Sequence, residues 1–149
     1  MSTDNAHVMN REQIEACIPH RPPMLLVDEV LEKSDNRIVC RHTFSPEDYF
    51  FQGHYPDYPL VPGVILCESC MQAGAILLSQ FAGDGVPVAT RMNDVRFKKM
   101  VRPGDTIQME VDLVERVANA FFMKGKVTRD GQTVMRFDFA CTAAAAQDA

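Results

Sequence analysis

Between Pro62 and about Phe81 the chain reads Val64, Ile65, Leu66, Cys67, Cys70, Met71, Ala73, Gly74, Ala75, Ile76, Leu77, Leu78 and Phe81, with almost no charge between them. A segment apolar or small on nearly every side is a helix that must be buried all round, not one that lies on a surface. Pro62 suits its first turn, because proline has no N–H to lose there and its φ is already helical. At ~1.5 Å per residue the helix is on the order of 30 Å long, enough to cross a small domain. The rest of the chain has to supply what covers it.

That cover is predicted to be a sheet. Thr106 to Val114 alternates Ile107, Met109, Val111 and Leu113 with Gln108, Glu110 and Asp112, the period of a strand with one buried and one wet face. Ala118 to Thr128 reads as the next strand, Asp130-Gly131 as a tight hairpin, and Thr133 to Thr142 as the return strand, with Met135, Phe137, Phe139 and Cys141 on one side. Met24 to Glu32 and Arg37 to Phe44 are β-rich runs joined by Ser34-Asp35-Asn36. Ile38, Cys40 and His42 share one side of the second run, so His42 is expected to be solvated or hydrogen-bonded. Gly83-Asp84-Gly85 breaks the long helix, and Pro87 to Phe97 follows as an extended strand. Asn10 to Ile18 is a short helix capped by Asn10 and ended by Pro19 and the Pro22-Pro23 pair. Tyr49-Phe50-Phe51 should pack down the turn that precedes the helix. The pattern is α+β, an antiparallel sheet wrapped round a central hydrophobic helix.

The 149 residues suit one domain, read here as residues 10–142, with a frayed stretch at 1–9 and an alanine-rich tail at 143–149 that has nothing to pack with. A net charge of −5 argues against general nucleic-acid binding. No uninterrupted apolar run reaches the ~18 residues of a membrane span, and the first residues lack the apolar core of a secretory signal; the expected location is cytoplasmic. Cys67-Glu-Ser-Cys70 matches C-x-x-C in form only. No second Cys/His pair or redox-type βαβ setting accompanies it, so both thiols are read as core residues.

Glu68 is the anomaly in the apolar helix. A lone carboxylate there is costly unless paired, hydrogen-bonded or protonated. Gln72 lies one turn on, where a side-chain amide can reach it. The plain alternative is a narrow polar stripe of Glu68, Ser69 and Gln72 facing water. His54, in the proline-rich turn just before the helix, makes the two a candidate acid–base pair. His20, between a helix end and another proline-rich turn, reads as a capping or hydrogen-bonding residue.

Gly53-His54-Tyr55-Pro56, Pro59, Pro62-Gly63-Val64 and Glu68-x-x-x-Gln72 together resemble the active-site segment of the β-hydroxyacyl-(acyl carrier protein) dehydratases of fatty-acid synthesis. The likeness runs from Ile18-Pro19-His20-Arg21 to about Thr142. It takes in Leu25-Leu26-Val27-Asp28, Phe50-Phe51-Gln52 and Phe97-Lys98-Lys99-x-Val101-x-Pro103-Gly104-Asp105. Tyr55 stands where phenylalanine is usual and Val61 where methionine is usual. The resemblance implies a hot-dog fold and removal of water from a β-hydroxyacyl thioester, with no metal and no cofactor. It implies His54 as base, oriented by the Leu60 carbonyl, and Glu68 as acid, oriented by Gln72. The Gly63 N–H would polarise the thioester oxygen. Tyr55, Val61, Met71 and Phe97 become candidates for the acyl pocket, and His20-Arg21 falls in a structural segment. Spacing alone does not decide whether His54 and Glu68 meet within one chain. The resemblance implies that they do not, and that a homodimer shares its sites, with a trimer of dimers as further assembly.

Arg91, Arg96, Lys98, Lys99 and Arg102 gather in a chain that is acidic overall. They are either a solvated strand edge guarded against aggregation or a docking patch for the acidic acyl carrier protein. Three other readings compete: a hot-dog thioesterase, a dehydratase of a specialised lipid or polyketide route, and a non-catalytic acyl-binding subunit. The dehydratase–isomerase branch is expected to carry aspartate at the Glu68 position, so glutamate favours the simple dehydratase.

Overall fold

The long helix, α2, spans Gly63–Ala82. Pro62 is its N-cap rather than its first-turn residue, because its ψ of 139° is still extended; its carbonyl accepts from the Ile65 and Leu66 N–H groups. The computed structural model describes residues 9–83 and 85–144; Asp84, residues 1–8 of the stretch expected to fray at 1–9, and residues 145–149 of the tail expected at 143–149 lie outside the described residues. Ahead of α2 come α1 (Arg11–Cys17), β1 (Glu29–Lys33) and β2 (Arg37–Thr43). Behind it come β3 (Val86–Phe97), β4 (Thr106–Val117), β5 (Ala120–Arg129) and β6 (Gln132–Ala144). The Asn10 side chain and Gln13 cap α1 reciprocally, a capping box that fixes where this helix starts.

The six strands form one antiparallel sheet in the order β1-β2-β4-β5-β6-β3. The β5–β6 hairpin turns at Asp130 and Gly131, with φ of 53° and 78°, the two positive φ values that a two-residue turn needs to match strand twist. Ile107, Met109 and Val111 on β4, Met123 and Val127 on β5, and Met135, Phe137 and Phe139 on β6 are all buried. They meet Leu66, Cys70, Ala73, Ile76 and Leu77 of α2 in one hydrophobic core. Gly74 and Gly125 let helix and sheet approach closely. A Cβ on Gly74 would stand 3.1 Å from the Phe139 ring, and one on Gly125 would stand 2.8 Å from the Phe137 ring and 3.3 Å from Cys70 Sγ. By length and hydropathy alone Gly63–Phe81 would pass for a membrane span, yet 61 % of that window is buried within this fold.

Three stretches differ from the pattern read in the sequence. Met24 to Asp28 is not strand: its Met24 carbonyl and Leu26 N–H are taken up by a side chain of α2, described below. β4 runs on to Val117 past an irregularity at Leu113/Glu115. β6 continues to Ala144, pairing Ala143 with Pro87 and Ala144 with Val86, so two alanines of the tail belong to the sheet. β3 is the unusual strand. It forms one edge of the sheet, and most of its residues are exposed on both faces. At the other edge, Met9 makes a bridge to Val30.

Candidate active site

Gln72 is fully buried in the middle of α2 and every polar atom of its amide is used. Its Oε1 accepts from the Leu26 N–H at 2.7 Å, and its Nε2 donates to the Met24 carbonyl at 2.8 Å and to Glu68 Oε2 at 3.0 Å. One oxygen faces a donor and one nitrogen faces two acceptors, so the amide has a single permitted orientation. This explains why Met24–Leu26 leaves the sheet despite its β-rich sequence. It also fixes Glu68: Oε2 must act as acceptor, and a proton on this carboxyl belongs on Oε1.

Glu68 is 27 % exposed, and it borders a cavity of about 100 Å³. Met71 and Ala75 of α2, Pro87 and Ala89 of β3, Cys141 of β6, and His20 complete the wall. His20 Nε2 lies 3.7 Å from Glu68 Oε2. No spacing in the chain signals this approach, since the two lie far apart and a histidine before prolines has commoner uses. Arg21 fixes the His20 loop by donating to the carbonyls of Ile18, His20 and Glu15 at 2.8, 2.7 and 2.9 Å.

Asp28 ties down the rest of this segment. It accepts from Arg11 of α1 at 2.7 Å and from the Thr43 N–H of β2 at 2.8 Å, and pairs with His42 at 3.0 Å. Burial alone would raise the Asp28 carboxyl, but His42, Thr43 and Arg11 outweigh it and hold the group down at about 2. His42 is thus a buried, hydrogen-bonded strand residue that edge-packs on Phe44.

His54 sits in the turn that leads into α2. Its Nδ1 lies 3.1 Å from the Leu60 carbonyl. A carbonyl can only accept, so Nδ1 carries the hydrogen and Nε2 of the neutral ring keeps a free lone pair. The turn is anchored by the Val61 N–H, which donates to the Val101 carbonyl at 2.8 Å, and by Arg102, which bonds and stacks on Tyr58. Tyr55 holds a φ of 53°, a left-handed conformation uncommon for a bulky residue and characteristic of functional turns. Phe51 packs the turn inward, whereas Tyr49 stays exposed.

His54 does not line the cavity beside Glu68, and neither does Gly63. Gly63 opens α2, where the first N–H groups of a helix have no intrahelical acceptor. The Phe97 ring lies over it, close enough that a Cβ on Gly63 would be 2.8 Å from ring carbons. Of the four pocket candidates, Met71 lines the cavity, Val61 is buried beneath the turn, and Tyr55 and Phe97 are more than half exposed. Burial pushes the Cys67 and Cys70 thiols up, Cys70 furthest, which makes both poor nucleophiles. A larger cleft, about 720 Å³, lies among charged side chains of the sheet. Its charges are largely paired with each other, Arg37 with Asp112 at 2.9 Å and Lys124 with Asp138 at 3.2 Å among them.

Comparison with known proteins fits this arrangement. Residues 18–138 match the model of the FabA-like domain family. The 3-hydroxyacyl-[acyl-carrier-protein] dehydratase FabZ of Clostridium perfringens strain SM101 is 41 % identical over 128 residues, which cover 84 % of this chain and 91 % of that protein. The FabZ of Petrotoga mobilis is 42 % identical over 125 residues, covering 83 % and 90 % of the two chains. Among solved structures, a chain of the dehydratase heterocomplex ApeI:P from Xenorhabdus doucetiae superposes with a TM-score of 0.78 at 18 % identity, over 90 % of this chain and 92 % of that one. The Escherichia coli PaaI protein superposes with a TM-score of 0.62 at 14 % identity, over 76 % and 80 %. The fold is the hot-dog fold.

Proposed function

The chain belongs to the FabA-like family, and from that premise we propose that it removes water from a 3-hydroxyacyl thioester carried on acyl carrier protein, giving the trans-2-enoyl thioester of fatty-acid synthesis. The observation that carries this reading is the Gln72-locked carboxyl of Glu68 beside a cavity, in a chain whose His54 has one ring nitrogen committed and the other free. His54 Nε2 takes the proton from the carbon next to the thioester carbonyl. Glu68 gives the proton on Oε1 to the departing hydroxyl, the carbon–oxygen bond breaks, and water leaves. The Gly63 N–H, with the helix N-terminus behind it, receives the negative charge that develops on the thioester oxygen.

The site needs a second copy of the chain. A cavity of about 100 Å³ falls short of the roughly 300 Å³ at the small end of ligand pockets. Two of its wall residues, Pro87 and Ala89, belong to the edge strand β3, whose Val88, Met92 and Phe97 are exposed. An unpaired edge carrying apolar side chains is a pairing surface. Joining two copies there supplies the His54 that one chain does not bring to its own Glu68.

The carrier protein docks on the basic residues near the end of β3. Arg96 is paired with Asp94, Arg102 stacks on Tyr58 and Arg91 lies over Phe122, so of these five exposed cations Lys98 and Lys99 are the two without a charged or aromatic partner among the described residues. Their backbone N–H groups are held by the Val134 carbonyl at 2.7 and 3.2 Å, so the patch is presented on fixed backbone.

The direct test incubates the purified protein with a 3-hydroxyacyl thioester and follows enoyl absorbance and free thiol together. Enoyl product without thiol release supports the dehydratase; thiol release without enoyl product identifies a thioesterase instead.

A further inference from the structure

His20 is the second protonatable side chain at the Glu68 cavity, and the mechanism above leaves it unused. Its Nε2 stands 3.7 Å from Oε2, the same oxygen that accepts from Gln72, a few tenths of an ångström outside hydrogen-bond reach. Its Nδ1 is buried and has no hydrogen-bond partner among the described residues. A hydrogen on Nδ1 would be a buried donor with nothing to meet, a costlier state than a bare lone pair. The neutral ring therefore carries its hydrogen on Nε2, on the side of Glu68. Burial lowers the pKa of this imidazole against the opposing pull of Glu68, with Arg21 adding to the fall, which keeps the ring a neutral donor.

We propose that His20 is a positioning residue for the dehydration, its Nε2–H holding the Glu68 carboxylate that remains once the acid has given up its proton. The proposal rests on the reading of Glu68 as the acid. When the carbon–oxygen bond breaks and the O–H bond of water forms, Glu68 keeps the electron pair of its own O–H bond. It carries a negative charge until a proton returns to it from the His54 imidazolium through water. During that interval Oε2 keeps the Gln72 bond and draws the His20 Nε2–H in from 3.7 Å to hydrogen-bond distance. Donors strengthen as the acceptor becomes charged, so the His20 contact favours the state after proton transfer over the state before it. Such an interaction raises kcat and leaves substrate binding nearly untouched.

Three substitutions separate this role from simple packing. His20→Leu removes both nitrogens. His20→Gln places an amide donor near the position of Nε2, and His20→Asn places one near Nδ1, where nothing waits. The expected result is a fall in kcat of about tenfold to a hundredfold for His20→Leu and His20→Asn, with KM within about twofold of wild type and most of kcat recovered in His20→Gln. Thermal unfolding of each variant identifies those that are folded, and the Gln/Asn contrast suffices if the leucine variant is not. Equal rates in the glutamine and asparagine variants, or a change confined to KM, overturns the proposal. Glu68→Gln is assayed alongside. If it works at the wild-type rate, the acid reading fails; if it is inactive while the His20 variants match wild type, only the His20 proposal fails.

Discussion

Replacing Gln72 by leucine tests the claim that one side chain both fixes the candidate acid and fastens the Met24–Leu26 segment to α2. The substitution keeps the volume roughly constant and removes three hydrogen bonds. Two of the abandoned groups, the Leu26 N–H and the Met24 carbonyl, are main-chain groups of a segment whose Leu25, Leu26 and Val27 are buried. Each orphaned group costs about 1–3 kcal/mol, and the added apolar burial of leucine returns about 1–2 kcal/mol. The net loss is about 1–4 kcal/mol, or a fall in Tm of roughly 3–15 °C for a chain of this size. The control is Gln80→Leu on the same helix. Gln80 is exposed, and its bonds to Leu77 and Asp35 carbonyls at 3.0 and 3.2 Å compete with water. That change should stay within about 0.5 kcal/mol. Both are measured by denaturant unfolding at one protein concentration, since an oligomer's stability depends on concentration. If Gln72→Leu is as stable as the control, the network does not hold the segment and the assigned orientation of Glu68 loses its support.

Other perturbations bear on the same packing and charges. Asp28→Asn removes a carboxyl held at about 2 against an ordinary 3.8. A depressed folded-state pKa contributes stability that is present above the ordinary value and lost as pH falls toward the folded one. Discounted for its partial exposure, the variant should be less stable by about 1–2 kcal/mol at pH 7, the gap shrinking below about pH 4 and closing near pH 2; a gap independent of pH contradicts this. Gly125→Ala drives a methyl to 2.8 Å from the Phe137 ring between sheet and helix, with an expected loss of about 1–3 kcal/mol by unfolding; an unchanged midpoint shows that the helix–sheet contact is loose. Reversing Lys98 and Lys99 to glutamate should raise KM for carrier-bound substrate and spare a small thioester analogue, and equal loss on both argues against docking.

The elements that were legible in the sequence are those whose partners lie within one period of themselves. The apolar density of α2, the alternation of β4, the Asp130-Gly131 turn and the reach from Glu68 to Gln72 depend on spacing, and the backbone follows them closely. What could not be read depends on partners distant in sequence. Met24 to Asp28 has the composition of a strand, yet its Met24 carbonyl and Leu26 N–H bond to a glutamine of α2. His20 sits beside Glu68 because α1, its Arg21-tied end and the Asp28 cluster bring that loop over the helix. β3 carries apolar residues on an exposed edge, a pattern that no period of one chain explains.

The central claim is that a histidine of one copy works with a glutamate of another. His54→Ala and Glu68→Gln are prepared separately, each expected to be inactive, then unfolded, mixed in equal amounts and refolded together. If the site is shared, half of the dimers are hybrids and each hybrid has one intact site, so about a quarter of wild-type activity returns. If both residues act within one chain, every site in the mixture lacks one of them, and the refolded mixture stays as inactive as its parts.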